Sequence, residues 1–497
     1  MLASLGIDAP TAVLLCLALL LALSFEFVNG FHDTANAVAT VIYTHSLKPA
    51  YAEVWSGCWN LIGVLTSSGA VAFGIVALLP VELVINVGSG AGFAMVFALL
   101  VSAIVWNLGT WYLGLPASSS HTLIGSIVGV GLMNSLMSPD AQFGDGVNWG
   151  KVADTVKALV LSPLIGFAFA ALLLWLLRSL LASRKELFMS PDGDKAPPWW
   201  IRLLLIGTCT GVSFAHGSND GQKGMGLIVL ILVGIVPTTF ALNMHASGDA
   251  LTKLSASAVV FERNLETIVP AGTVAPDTDA AHTQLTGYLR KGAPNDSTLA
   301  ALEATNKRVV EGMTGVTSLS TIAPTQRRNM RLDIYLVSET LARMAKAKQL
   351  PPSLDAKQAG DYQKQLRALT NYIPTWVKFA VALALGLGTM IGWKRIVVTV
   401  GEKIGKAHLT YAQGASAELV AFACIEAADQ LGLPVSTTHV LSSGIAGTMV
   451  ANGSGLQKET VRNIILAWVL TLPVCVFLGA TLFAAGLYFV LHVAGVP

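Results

Sequence analysis

The sequence predicts an all-α polytopic membrane protein, built as an internal duplication whose second half is interrupted by a polar helical insertion. Three observations carry that expectation. Of 497 residues, 53% are hydrophobic and only 12% charged, with a mean hydropathy of +0.63, against roughly 25% charged in an ordinary soluble domain. The charges are segregated: 27 of the 60 Asp, Glu, Lys and Arg side chains fall within residues 246–372, which leaves the rest of the chain suited to a bilayer. Two short motifs also recur. GFHDTANAVAT (30–40) returns as GSNDGQKGMGL (217–227), and LPASSSHT (115–122) returns as LPVSTTHV (433–440). The first pair is offset by 187 residues and the second by 318, a difference of 131 that nearly equals the 127 residues of the polar stretch.

Taken in order, apolar stretches lie at 10–29, 54–79, 93–114, 157–181, 200–216, 222–243, 373–393, 411–432 and 461–492, most of them near the ~17–25 residues a span needs. The first is read as a retained helix, because it lacks the basic leading region of a signal peptide. Segments 30–44, 115–135, 217–226 and 433–452 are apolar but interspersed with Gly, Pro, Ser and Asn. A helix interrupted in hydrocarbon survives only where protein or a wet cavity satisfies its backbone, so these four are expected breaks that mark a site. The first repeat is then 1–195, the second is 199–245 with 373–497, and 246–372 is the insertion. Short basic loops, one with Arg178, Arg184, Lys185, Lys195 and Arg202 and one with Lys394, Arg395, Lys403 and Lys406, assign both loops to the cytoplasm and the insertion to the other side. Helical periodicity near 298–313, 327–348 and 355–371 reads as a small helical cap. Five single cysteines in apolar surroundings give no metal or disulfide spacing, and the lack of a basic stripe with interleaved aromatics excludes nucleic acid as a partner.

Each copy of the first motif carries one carboxylate, Asp33 or Asp220. An ionised Asp at mid-bilayer costs about 2.5–3.5 kcal/mol even on the lenient insertion scale, so such residues mark ion or substrate paths. The alternative is a pair of helix caps at the membrane surface. Each copy of the second motif has Leu-Pro ahead of three hydroxyls and a His: Ser118, Ser119, Ser120 and His121, then Ser436, Thr437, Thr438 and His439. Proline suits the first turn of a helix, which places the hydroxyls at a helix N-terminus, where free N–H groups and the positive dipole end favour an anion.

These paired motifs, together with WNLGTWYLGLP (106–116), LGTMIGWKRI (387–396) and GEKIG (401–405), resemble the signatures of the inorganic phosphate transporter (Pit) family, and most of all its bacterial low-affinity permeases. The resemblance implies two inverted-topology repeats with broken helices and helical hairpins, and a multi-pass secondary transporter of the plasma (inner) membrane without a cofactor. It implies proton symport of inorganic phosphate, with arsenate as a mimic, carried as a neutral complex with a divalent ion such as magnesium and without a fixed metal site; a homodimer is a candidate assembly. By position, Asp33, Asn36 and Asp220 match signature coordination residues, and Ser118, Ser119, Ser120, Ser436, Thr437 and Thr438 match the phosphate-facing hydroxyls. Glu418 matches a functional carboxylate whose first-half counterpart is here Asn60.

Two departures stand out. His32 replaces the usual Asn, and Lys223 stands where the second copy would repeat Asn36. A titratable imidazole and a fixed cation suit protons better than the oxygen cage that sodium prefers. The alternatives are a core histidine bonded to a backbone carbonyl and a lysine that snorkels to an interface. At the level of the whole protein, the competing readings are sodium-coupled or other oxyanion symport, a channel or receptor, and an intramembrane aspartyl protease using the two Asp residues. The last lacks its expected YD and GxGD contexts.

Overall fold

The computed structural model describes residues 7–138, 141–269, 276–292, 294–392 and 394–492, without the side chains of 34–36 and 291. The Asn36 side chain therefore lies outside the described residues. The fold is helical, with one antiparallel bridge, Gly405 to Leu456, as the only β pairing among the described residues. Helix α1 (Ala9–Tyr43) begins on Asp8, whose carboxylate accepts the Thr11 N–H at 2.9 Å, with Pro10 in its first turn. Helices α2 (Pro49–Thr66) and α3 (Ala70–Val76) meet at a 77° bend. There follow α4 (Gly90–Tyr112), α5 (Ser119–Met137) and α6 (Trp149–Leu180), and then α7 (Trp199–Ile235) opens the second half. The insertion supplies α8 (Gly248–Glu266), α9 (Thr278–Lys291), α10 (Asp296–Met313), α11 (Pro324–Lys346) and α12 (Ala356–Thr370). The chain ends with α13 (Thr375–Thr389), α14 (Lys394–Glu402), α15 (Tyr411–Gln430), α16 (Thr437–Ala451) and α17 (Lys458–His492). Among the described residues, α1, α4, α5, α6 and α17 are each long and apolar enough to cross a bilayer on their own. The outer faces of α6 and α17 expose Phe169, Trp175, Val469 and Phe477, as lipid-facing helices should.

Two of the four expected breaks are not breaks. Helix α1 runs unbroken through 30–43, and α7 runs through 217–226, joining the stretch 200–216 to 222–235 in one helix of 37 residues that ends at Ile235, short of the expected 243. Their glycines are contact points instead. A Cβ on Gly30 would fall 2.3 Å from the Leu385 carbonyl oxygen of α13, and one on Gly217 would fall 2.1 Å from that of Asn60 in α2. Small residues let helix backbones touch where hydrophobic association is weak, so a pattern that reads as helix breaking is here helix packing. The other two breaks are real and short. Gly114 (φ +66°) and Gly432 (φ +63°) turn the chain just before each Leu-Pro, and α4 with α5, and α15 with α16, become hairpins whose tips point inward.

The insertion has a core of its own, with Leu251, Leu285, Leu302, Ile334 and Leu366 buried together. The helices expected near 298–313, 327–348 and 355–371 are present as α10, α11 and α12; α8 and α9 were not expected. Arg331 donates to the carbonyls of Ala241 (2.7 Å) and Thr370 (2.8 Å), which pins the base of the module. Because this core is separate from the membrane cores, deleting 246–372 and joining the spans with a short polar linker should leave phosphate uptake measurable. Complete loss of uptake in a deletion that still reaches the membrane would make the module integral to transport.

Candidate functional site

The long helices α1 and α7 each carry a polar stripe at three- and four-residue spacing, which puts its members on one helix face. On α1 the stripe is Glu26, Asn29, Asp33 and Thr40; on α7 it is Ser213, His216, Asp220 and Lys223, all buried. The hairpin tips bring Ser119 and Thr438 against them. Ser119 Oγ lies 3.0 Å from Asp33 Oδ2 and 3.3 Å from Asp220 Oδ2, and it accepts from Lys223 Nζ at 3.3 Å. One hydroxyl hydrogen serves one carboxylate at a time, so Ser119 is a swivel between the halves. Thr438 Oγ1 donates to Asp33 Oδ1 at 2.6 Å, and Lys223 Nζ donates to Asp220 Oδ2 at 2.6 Å. Lys223 is fully buried and does not snorkel.

His32 Nδ1 lies 3.0 Å from Asp33 Oδ1 and its Nε2 lies 3.1 Å from Thr110 Oγ1, so its partners are side chains and not a backbone carbonyl. The Thr110 hydroxyl is also placed to donate to the Trp106 carbonyl at 3.0 Å. When His32 is neutral with its hydrogen on Nδ1, Thr110 can donate to Nε2. When His32 is an imidazolium, Thr110 can turn to Trp106 and accept instead. One rotating hydroxyl thus accommodates both charge states without moving the backbone.

His216 was missed at the sequence level. Its Nδ1 lies 2.6 Å from Asn60 Oδ1, which fixes the hydrogen on that nitrogen. Its Nε2 then faces Asp220 Oδ2 at 3.5 Å and Asp33 Oδ2 at 3.9 Å and has no hydrogen-bond partner. Asp33, His216 and Asp220 each offer a ligand atom, and these atoms lie within 4.8 Å of one another. An imidazole lone pair aimed at two carboxylates is a seat for a proton or a divalent cation. Asn60 therefore reaches the carboxylates only through His216.

The predicted hydroxyls divide by what they already bond. Ser118 and Ser436 are N-caps, accepting the backbone N–H of His121 (3.2 Å) and His439 (3.1 Å). Ser120 donates to the Val435 carbonyl at 2.7 Å and ties one tip to the other. Thr437 Oγ1 is buried with no partner, and Asp220 Oδ1 and Asn219 Oδ1 are also unpartnered. Thr437 thus has no bond to give up, while Ser119 and Thr438 are engaged with the carboxylates and would exchange those bonds to meet an anion. Glu418 stands apart: it accepts from the hydroxyls of Thr40 and Thr208, and Thr40 lies seven residues along α1 from Asp33, about 10 Å at 1.5 Å per residue.

Residues 29–479 match the family model described as the Phosphate transporter family. The chain belongs to that family. Over 509 aligned residues it is 44% identical to the low-affinity inorganic phosphate transporter PitA of Escherichia coli (strain K12), covering 97% of this chain and 99% of that one. It is 39% identical to a low-affinity inorganic phosphate transporter of Buchnera aphidicola subsp. Acyrthosiphon pisum, over 97% and 98% of the two chains. A solved structure, described as the sodium-dependent phosphate transporter, shares the fold at a TM-score of 0.51 and 20% identity, covering 95% of this chain and 98% of that one. In this member of the phosphate transporter family, the signal that could have found His216 and Glu26 is the stripe itself: polar residues three, four and seven positions from each Asp in an otherwise apolar helix.

Proposed function

We propose that this member of the phosphate transporter family imports inorganic phosphate across the plasma (inner) membrane as a neutral divalent metal–phosphate complex, by proton symport. The observation that carries the reading is the facing of two buried carboxylates, Asp33 and Asp220, with His216 Nε2 between them and hydroxyls from both hairpin tips beside them. The carboxylates and the imidazole suit the cation of the complex. Ser119, Thr437, Thr438 and the Lys223 ammonium suit the phosphate oxygens, and arsenate has the same shape and charge. The His32–Asp33 pair can take a proton as the substrate enters. Glu418 is the next carboxylate along α1. The matched motifs of the two halves support an inverted-repeat carrier in which the hairpins rock about the long helices. Membership of a transporter family sets the protease reading aside.

Uptake of labelled phosphate into proteoliposomes, with a pH gradient or a sodium gradient imposed separately and with or without magnesium, tests each part. Uptake should follow the pH gradient and require the divalent ion. Uptake driven by sodium alone would overturn the proton coupling, and uptake indifferent to magnesium would overturn the metal–phosphate substrate.

A further inference from the structure

We infer that Glu26 is a further seat for the coupled proton beside the His32–Asp33 pair, an inference that rests on the proton-symport reading above. Glu26 sits on α1 two turns before Asp33 and is wholly buried. Its carboxyl is pressed into the backbone of α7: Oε1 accepts the Gly224 N–H at 2.6 Å. A Cβ at position 224 would fall 2.3 Å from Glu26 Cγ and 2.5 Å from Oε1. Glycine at 224 is therefore what admits a carboxyl to this place, directly beside Lys223 in the chain.

The second oxygen is weakly held. Oε2 lies 3.5 Å from the Asn29 amide nitrogen, a weak contact, while Asn29 Oδ1 is buried with no partner. With the Asn29 amide turned over, a proton on Oε2 can donate to its oxygen, whereas an ionised carboxylate has only the Gly224 N–H and this long amide contact to hold its charge. The charged groups facing Glu26 are Lys223 and Asp220, both on α7, and Lys223 is already paired with Asp220 at 2.6 Å. Ionised Glu26 has no counter-ion of its own and becomes a competitor for Lys223. Gain of the proton leaves Lys223 on Asp220 and Ser119, at the anion site. Loss of the proton draws Lys223 away and loosens that site. The proton enters Oε2 from water on one side and leaves to water on the other, once per substrate, with no bond to phosphorus made or broken.

The full chain in proteoliposomes tests this with two readings: phosphate-coupled proton flux, from a trapped pH dye, and exchange of labelled for unlabelled phosphate at equal pH. Glu26→Gln, fixed in the neutral form, should keep exchange and lower pH-driven accumulation and proton flux by about tenfold or more, as expected when a group acting in turnover is removed. Wild-type accumulation and flux in Glu26→Gln would overturn the inference. Loss of exchange in step with accumulation would also overturn it, by making Glu26 structural. If Glu26→Gln fails to reach the vesicle, Glu26→Asp decides: it should shift the pH profile of accumulation and spare exchange, and an unchanged profile would overturn the inference. A wild-type chain without phosphate-coupled proton flux would remove the proton reading itself, whereas normal wild-type flux with an unchanged variant removes only Glu26.

Discussion

Asp33→Asn or Asp220→Asn is expected to abolish phosphate uptake. Asp33 is tied to Ser119 of α5, Thr438 of α16 and its neighbour His32, and Asp220 to Lys223 of its own helix and Ser119 of α5. Removing the charge of Asp33 leaves one carboxylate to face the incoming cation or proton. Removing that of Asp220 also strands the Lys223 ammonium, and breaking a buried ion pair from one side costs about 3–5 kcal/mol. The two effects separate in a further variant. Asp220→Asn with Lys223→Met should regain thermal stability, because no unpaired charge remains, yet stay inactive, because the substrate site is lost. Uptake near wild type in either single Asn variant would remove the carboxylates from transport.

Ser119→Ala should weaken apparent phosphate affinity by about ten- to a hundredfold, the equivalent of one hydrogen bond to a charged group at about 1.5–3 kcal/mol. Ser119 touches both carboxylates and Lys223, so its loss uncouples the two halves as well as removing a donor. Thr437→Ala should weaken affinity by a similar factor without loss of stability, since Thr437 Oγ1 has no partner to lose. Ser118→Ala and Ser436→Ala should act differently, lowering stability by about 1 kcal/mol through loss of a helix cap while sparing affinity. Thermal unfolding in detergent and the concentration dependence of uptake distinguish the classes. If all four substitutions shift affinity alike, or if Ser119→Ala and Thr437→Ala leave it unchanged, the hydroxyls do not divide as described.

The membrane class, the polar insertion and the two motif pairs were legible in the sequence, because hydropathy and charge are local properties and a recurring motif repeats its letters. Asp33 and Asp220 were legible for the same reason: a carboxylate in an apolar run is conspicuous wherever the helix goes. The role of the glycines was not. Gly30 and Gly217 look like helix breakers until α13 and α2 are seen against them, since a close approach between helices leaves no mark on a single strand of sequence. His216 and Glu26 were overlooked because each is one polar residue in a long segment. Only the packing of α1 on α7 turns two separate stripes into one cluster.

The sequence by itself determined that this chain is a helical membrane protein with two recurring motif pairs and an acidic residue in each copy of the first. Tertiary structure alone decided which hydroxyls are caps, which tie the hairpins together, which bond the carboxylates and which has no partner. It also decided that Asn60 acts on the carboxylates through His216, and that Lys223 is paired with Asp220 and not exposed. The reason is that hydrogen-bond partners here lie as far as 405 residues apart in the chain, as between Asp33 and Thr438. A buried polar group is defined by what satisfies it, and that partner is supplied by the fold.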